Sequence, residues 1–240
     1  MSSSETKPEI VLYTASTMNG WKPVIFLEEA QISYELIHVD FSKNEQKSPQ
    51  YVQLNPNGRI PTIIDRSNDD FVVFESGAIL WYLAQKYRVF LPEKEKDQSR
   101  VLQWLMFQVG GIGPMMGQAM YFQRIAIPNG ERHPFAIDRY VKESRRLLEV
   151  LDRHLERKTY LVNEEFTIAD IAMYPWARCF YWACVSIDGL FNLQKWLERI
   201  DNREATQRAL EIPEPYWAFF GRGDIEEQER QNAQNFKDDV

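Results

Sequence analysis

Along the first 90 residues, short β-like runs alternate with helical patterns in the order β-α-β-α-β-β-α, and that order restricts the topology more than any other feature of the chain. The apolar run Ile10-Val11-Leu12-Tyr13 reads as a strand, a polar turn follows, and residues 21–30 carry a helical pattern. Residues 34–39 alternate apolar and polar as a half-buried strand does, and residues 48–54 hold a short helix. Thr62-Ile63-Ile64-Asp65 and Phe71-Val72-Val73-Phe74 are two further strands, joined as a hairpin by the polar residues 66–70. Ser76 is placed to cap the helix that runs to Tyr87, with Ile79, Leu80 and Leu83 on its apolar side. Strand–helix–strand units demand right-handed crossovers and parallel pairing, while the hairpin must be antiparallel. A mixed four-stranded sheet with helices on both faces follows.

After Leu91-Pro92 the period changes. Residues 93–97 are charged and linker-like, and helical spacing dominates from there to about residue 210. Val141, Ser144, Leu148, Leu151 and Leu155 fall three and four apart, on one face of an amphipathic helix. Thr167-Ile168-Ala169-Asp170 has the form of a capping box, and Pro175 inside the next helical pattern predicts a kink. The expected organisation is an α/β domain over residues 1–90, an all-α domain over 98–213, and a C-terminal extension over 214–240 that packs on the rest or stays partly disordered.

Charge and cysteine content narrow the function classes. The net charge is −7 with no basic stripe, so nucleic-acid binding is not expected. No apolar run reaches the roughly 20 residues of a membrane span, and the polar start, Met1 to Pro8, has no signal-peptide core, so a cytoplasmic location is expected. His38, His133 and His154 lack ligand spacing, so no metal is expected. The two cysteines, Cys179 and Cys184, are five apart on a helix and point away from each other, which makes them packing thiols rather than a disulfide.

Four segments carry candidate chemistry, each with a plain alternative. Pro61 in Arg59-Ile60-Pro61-Thr62 either starts a strand or forms a cis peptide that presents the Ile60 backbone to a ligand backbone. Glu75-Ser76 either caps a helix or forms a site for an amino-acid head group, with the helix end for the carboxylate and Glu75 for the ammonium. Thr17-Met18-Asn19-Gly20 is either an ordinary turn or an anion site built from Thr17, Asn19 and the helix-end N–H groups, able to hold a thiolate. The glycines of residues 110–117 follow no strand, so they suit close helix packing or a helix break beneath a cleft rather than a nucleotide loop. Met115, Met116, Tyr121, Phe122, Tyr174 and Trp182 either line an apolar pocket or belong to the helical core.

Four clustered motifs together resemble the cytosolic glutathione transferase superfamily. They are Thr17-Met18-Asn19-Gly20-Trp21-Lys22; Leu54-Asn55-Pro56-Asn57-Gly58-Arg59-Ile60-Pro61; Phe74-Glu75-Ser76-Gly77-Ala78-Ile79-Leu80; and Gln103-Trp104 with residues 108–115. Within that superfamily they are similar to the bacterial Nu class and the fungal Ure-type transferases, relatives of the yeast nitrogen-catabolism regulator. The resemblance implies a thioredoxin-like α/β domain followed by an all-α domain, a homodimer, and glutathione as co-substrate. It further implies that Asn19 donates its amide to the glutathione sulfur with Thr17 close by, that Gln46 contacts the glycine end, that Ile60 pairs through its backbone with the cysteinyl unit, and that Glu75 and Ser76 hold the γ-glutamyl head. Arg139 matches an arginine that reaches glutathione across the dimer interface. Met18 departs from the pattern, standing where many relatives have proline.

The missing cysteine completes the expectation. Thioredoxin-like redox enzymes carry Cys-x-x-Cys at the start of the first helix; here Asn19 occupies that place, and the first 178 residues contain no cysteine. An amide donates hydrogen bonds but forms no mixed disulfide, so the reactive sulfur must arrive with the ligand. The implied function is a glutathione-dependent transferase or disulfide reductase, with side peroxidase activity, acting on a small electrophile or disulfide. The alternative is a non-catalytic regulator that keeps the fold; the lack of a long Asn/Gln-rich N-terminal tail favours the enzyme.

Overall fold

A computed structural model describes residues 7–215. The chain divides into two units, one formed by residues up to Val89 with a return at Glu204, the other running from Phe90 to Arg203.

The first unit is built on four strands: β1 (Ile10–Thr14), β2 (Tyr34–His38), β3 (Thr62–Asp65) and β4 (Phe71–Phe74). Their order across the sheet is β2-β1-β3-β4. β1 runs parallel to β2, with Ile10 opposite Tyr34, and antiparallel to β3, with Ile10 opposite Asp65; β3 and β4 pair antiparallel. The expected mixed sheet is therefore present, with β1 central and nearly fully buried because its apolar residues follow one another without alternation. Helices α1 (Trp21–Glu29), α2 (Pro49–Leu54) and α3 (Ser76–Tyr87) fill the connections. α2 begins as its sequence dictates, with Ser48 accepting from Tyr51 N–H and Pro49 at the first helical position. The hairpin turns through residues 66–68, with Asp69 and Asp70 at positive φ.

A charged cluster ties α3 to this hairpin. Asp65, fully buried at the end of β3, accepts from Lys86 Nζ at 2.6 and 2.8 Å and from Tyr82 Oη at 2.7 Å. Burial pushes the Asp65 carboxyl up, but bonds from Lys86, Tyr82 and Ser67 outweigh it and hold the group below the usual carboxylate range. The cluster stands toward the C-terminal end of α3, while Glu75 and Ser76 stand at its start.

The second unit contains α4 (Glu95–Phe107), α5 (Gly113–Tyr121), α6 (Pro134–His154), α7 (Ile168–Arg178) and α8 (Phe191–Asp201). Among the described residues no helix is long and apolar enough to cross a membrane. α6 buries Ser144, Leu148 and Leu151 on one face, as its spacing requires, and the capping box of Thr167 and Asp170 is formed. Pro175 lies inside α7, which continues three residues past it to Arg178. The glycine run widens α4 into a π-helical turn at Gln108–Ile112, and a Cβ on Gly113 would stand 2.7 Å from Gln108 Nε2. Gly113 is the tight position of the run; Gly110 has open space beside it, and Gly111 and Gly117 stand at ordinary contact distance from Leu147 and Trp176. Cys179 and Cys184 are both free and buried, and desolvation pushes the Cys179 thiol up to about 12.

Two boundaries differ from the sequence reading. Glu95 and Asp97 of the charged stretch form the first turn of α4, where acidic side chains suit the positive helix end, so only its start is linker. Helix α9 (Glu204–Leu210) belongs with the first unit rather than closing the helical one, because it packs on α1, where Thr206 Oγ1 donates to Glu29 at 3.0 Å. Of the C-terminal extension, Glu214 and Pro215 are described and residues 216–240 lie outside the described residues.

Candidate active site

Three segments of the first unit carry the residues singled out for binding and chemistry. The first is the turn from β1 into α1. Thr14 Oγ1 donates to the Gly20 carbonyl at 3.0 Å, and the Gly20 N–H donates to Thr17 Oγ1 at 3.2 Å. The Trp21 N–H reaches Thr17 O at 2.9 Å. Of the helix-end N–H groups expected to bind an anion, these two are therefore taken up locally, and Thr17 acts as the cap that shapes the turn. Asn19 sits half-buried in this turn, and Met18 is buried at 7% exposure, holding the place as packing rather than as a rigid ring. Gly20 cannot be enlarged: a Cβ there would stand 2.0 Å from the Ala15 carbonyl oxygen.

The neighbouring Ser16 anchors the chain that returns after α9. Its Oγ donates to the Glu214 carbonyl at 2.6 Å, and the Glu214 N–H points back to the same oxygen at 3.1 Å. The Glu214 carboxylate lies 3.8 Å from His38 Nδ1. Sequence reasoning missed this contact, since nothing local relates residues 198 positions apart.

The second segment is the loop into β3. The Ile60–Pro61 bond is cis, and Pro61 also stands directly before β3 as a strand starter would. The preceding carbonyl, Arg59 O, is held from two sides, by Asn55 Nδ2 at 2.6 Å and Tyr51 Oη at 2.8 Å. Both donors also reach Thr62 Oγ1, and Asn55 Oδ1 accepts from Asn57 N–H at 3.0 Å. The half-buried Ile60 is thus fixed between two residues that do not move independently. Gln46 lies in a short turn at Glu45–Lys47, with Nε2 donating to Asn44 Oδ1 at 3.0 Å. Removing the buried Asn55 amide strips a donor from Arg59 O and an acceptor from Asn57 N–H. Asn55→Ala is expected to cost about 2 kcal/mol, lowering the thermal midpoint by roughly 4–8 °C. Thermal unfolding followed by circular dichroism measures it; a shift under about 1 °C would show that the network contributes nothing.

The third segment is the start of α3. Glu75, not Ser76, is the N-cap residue; its φ of +71° and ψ of 117° place a non-glycine residue in a strained region, and its side chain makes no capping bond. Ser76 is the first helical residue, so its hydroxyl is displaced from the capping position and instead accepts from Lys22 Nζ at 3.1 Å. Strain of this kind persists where surrounding structure enforces it, and such residues concentrate at ligand sites. Glu75 itself is exposed, while Ser76 is buried at 6% exposure.

Lys22 is the functional candidate that the sequence reading passed over. It lies in the second position of α1 at 1% exposure, and burial pulls its ammonium down to about 7 against the raising pull of Glu75. The available signal was its place inside the run Trp21-Lys22-Pro23-Val24-Ile25-Phe26-Leu27, all of it buried. Arg139 belongs to the second unit, where it is exposed on α6. Among the described residues no cluster of side chains is suited to a metal ion.

Comparisons with known proteins agree on one family. Residues 8–85 match the family Glutathione S-transferase, N-terminal domain, and residues 115–204 match Glutathione S-transferase, C-terminal domain. The disulfide-bond oxidoreductase YfcG of Escherichia coli is 42% identical over 84% of this chain and 94% of its own length. A glutathione transferase from Pseudomonas putida, solved with one glutathione disulfide bound per subunit, superposes with a TM-score of 0.82 at 40% identity, covering 88% of this chain and 94% of the other. The nitrogen regulation fragment of the yeast prion protein Ure2p gives a TM-score of 0.80 at 31% identity over 88% of this chain and all of that one.

Proposed function

Because this chain belongs to the glutathione S-transferase family, we propose that it binds glutathione in its first unit and spends the thiol of that ligand on reducing disulfides, with Asn19 holding the thiolate. One observation carries this reading. The turn at the start of α1, where a redox enzyme of this fold places its nucleophilic cysteine, presents an asparagine, while both cysteines of the chain are buried in the second unit. The sulfur chemistry therefore belongs to the ligand, and the protein supplies hydrogen bonds and position.

In this proposal Glu75 accepts from the ammonium of the γ-glutamyl head, and Ser76 with the N–H groups at the start of α3 binds its carboxylate. The Ile60 backbone pairs with the cysteinyl unit and Gln46 meets the glycine end. Thr17 shapes the turn, and Asn19 donates its amide to the sulfur. A charge-assisted hydrogen bond of roughly 1.5–3 kcal/mol corresponds to a thiol pKa lowered by about 1–2 units. The thiolate attacks one sulfur of a disulfide; the S–S bond breaks, a mixed disulfide with glutathione forms, and the departing thiolate takes a proton from solvent. A second glutathione thiolate then attacks the mixed disulfide, giving glutathione disulfide and the second reduced thiol. Support comes from the oxidoreductase relative and from the glutathione disulfide held by the Pseudomonas putida relative. The same thiolate attacks electrophilic carbon or a hydroperoxide oxygen as side activities. The functional form is a homodimer in the cytoplasm, where glutathione is abundant and reduced, and Arg139 of the partner subunit completes the site.

The test is turnover of hydroxyethyl disulfide, 1-chloro-2,4-dinitrobenzene and cumene hydroperoxide, each with glutathione. Disulfide reduction is expected to be the fastest of the three. Tight glutathione binding with no turnover of any substrate would replace this proposal with the regulatory reading that the Ure2p likeness suggests.

A further inference from the structure

Ser16, in the turn from β1 into α1, commits its side chain to a distant part of the chain. Its hydroxyl, buried at 5% exposure, donates to the Glu214 carbonyl at 2.6 Å and accepts from the Glu214 N–H at 3.1 Å. We infer that Ser16 is a positioning residue: through it, the strap of residues 211–214 that follows α9 holds the turn of Thr17 and Asn19 in register with the glutathione sulfur. The role presupposes the assignment of Asn19 to that sulfur.

The printed shape of the turn comes from bonds within it. Thr17 N–H reaches Ala15 O at 2.8 Å, Trp21 N–H reaches Thr17 O at 2.9 Å, and Thr14 Oγ1 closes onto Gly20 O. Such bonds fix the turn against itself; a bond to a segment anchored elsewhere fixes where it stands. The strap is anchored in that way. α9 packs on α1, with Thr206 Oγ1 donating to Glu29 at 3.0 Å and Arg208 Nε 3.3 Å from Glu28, both at the end of α1. From Leu210 the chain runs back to Ser16, ahead of the first turn of the same helix. α9 and the strap therefore brace α1 at both ends.

The strap also stands at the edge of the sheet where ligands bind. β1 and β2 run parallel and finish on the pair Thr14 and His38, and open α/β sheets take their ligands beyond the carboxyl ends of such strands. Glu214 lies there, its carboxylate 3.8 Å from His38 Nδ1. Those two side chains are 54% and 39% exposed, and an exposed ion pair contributes little, so the hold resides in the main-chain bonds to the buried hydroxyl. Residues 14–20 carry no charged side chain, so what the turn itself offers a sulfur is hydrogen bonds and position.

The experiment titrates the thiol of bound glutathione in the full-length protein, through the ultraviolet absorbance of its thiolate. Ser16→Ala deletes both bonds and is expected to raise that pKa by about half a unit to one unit, a loss of about three- to tenfold in thiolate below it. Glu214→Pro removes the N–H on the other side of the contact and is expected to raise it as well. Affinity for S-methylglutathione, which has no thiol to ionise, is expected to stay within about twofold of wild type in both variants. In an Asn19→Ala background, Ser16→Ala is expected to add no further shift, because the two act through one hydrogen bond.

An unchanged thiol pKa in Ser16→Ala overturns the inference. A shift of full size in the Asn19→Ala background overturns it as well, since Ser16 then acts through something other than Asn19. A shift that Glu214→Pro does not share removes the strap from the role. A loss of S-methylglutathione affinity beyond about tenfold makes the contact a general support of the first unit and also overturns it. Asn19→Ala alone separates the two levels. If it leaves the thiol pKa unchanged, the assignment of Asn19 fails and the role of Ser16 with it. If it raises the pKa while Ser16→Ala does not, the assignment stands and the role of Ser16 falls.

Discussion

Asn19→Ala is expected to lower glutathione-dependent disulfide reduction about tenfold or more at neutral pH and to displace the pH–rate profile upward by about one to two units. The side chain is uncharged, so its contribution lies in donating a hydrogen bond that favours the thiolate over the thiol. The variant therefore starts with less thiolate at neutral pH, not with a weaker nucleophile. Raising the pH toward the thiol's own range, about 8.5 for an unperturbed cysteine, restores the anion without help, so the two profiles should converge there. Rates measured from about pH 6 to 9.5 separate this from simple misfolding, which lowers every point equally. Superimposable profiles for the two proteins would remove Asn19 from the chemistry. The backbone of the turn that holds Asn19 is tied by bonds from Thr14 Oγ1 to Gly20 O and from Gly20 N–H to Thr17 Oγ1.

Asp170→Ala is expected to be the most destabilising single change in the helical unit. The carboxylate is fully buried and accepts from Leu161 N–H at 3.0 Å, Thr167 N–H at 3.1 Å, Thr167 Oγ1 at 3.1 Å and Trp196 Nε1 at 2.9 Å. Alanine strands these donors away from water, each at a cost of about 1–3 kcal/mol, and undoes half of the capping box. A total near 4 kcal/mol places the change in the exceptional class and lowers the thermal midpoint by roughly 8–16 °C. Calorimetric unfolding at about pH 7 reads this directly, and a loss under about 3 °C would show that water replaces the carboxylate at little cost. The pH response has its own sign. Burial pushes the Asp170 carboxyl up to about 6, against the lowering pull of Trp196, Leu161 and Thr167. The proton-linked stability of such a raised carboxyl is present below its unfolded value, near 4, and is lost as pH rises through 6. Asp170→Asn, which does not titrate, should lack that dependence.

Where the pattern was local, the chain announced its structure. The four strands, the hairpin, Ser48 ahead of α2 and the Thr167–Asp170 box all follow from period, turn chemistry and capping within a few residues. What was not legible depends on distance or on displacement by a single position. Ser76 looks like a cap because serine before an apolar helix usually is one; the cap is Glu75, and the hydroxyl was drawn instead to a lysine 54 residues away. The burial of Lys22 depends on how other parts of the chain cover residues 21–27 of α1, which no local pattern states. The bond between Ser16 and Glu214, and the return of α9 to α1, depend on how the chain doubles back, and no periodicity encodes that. The proposed role of the turn at Asn19 comes from the absence of cysteine through residue 178 taken together with the motifs around it.

The return of α9 has a consequence for how the protein is made. The first unit is discontinuous: its sheet is complete by residue 89, but the helix that covers α1 begins at Glu204. On the ribosome, at about 5–20 residues per second, the intervening residues delay that helix by roughly ten seconds. For that interval the nascent sheet is finished and one flank of α1 is bare, a window in which chaperone binding or premature pairing between neighbouring nascent chains competes with native closure.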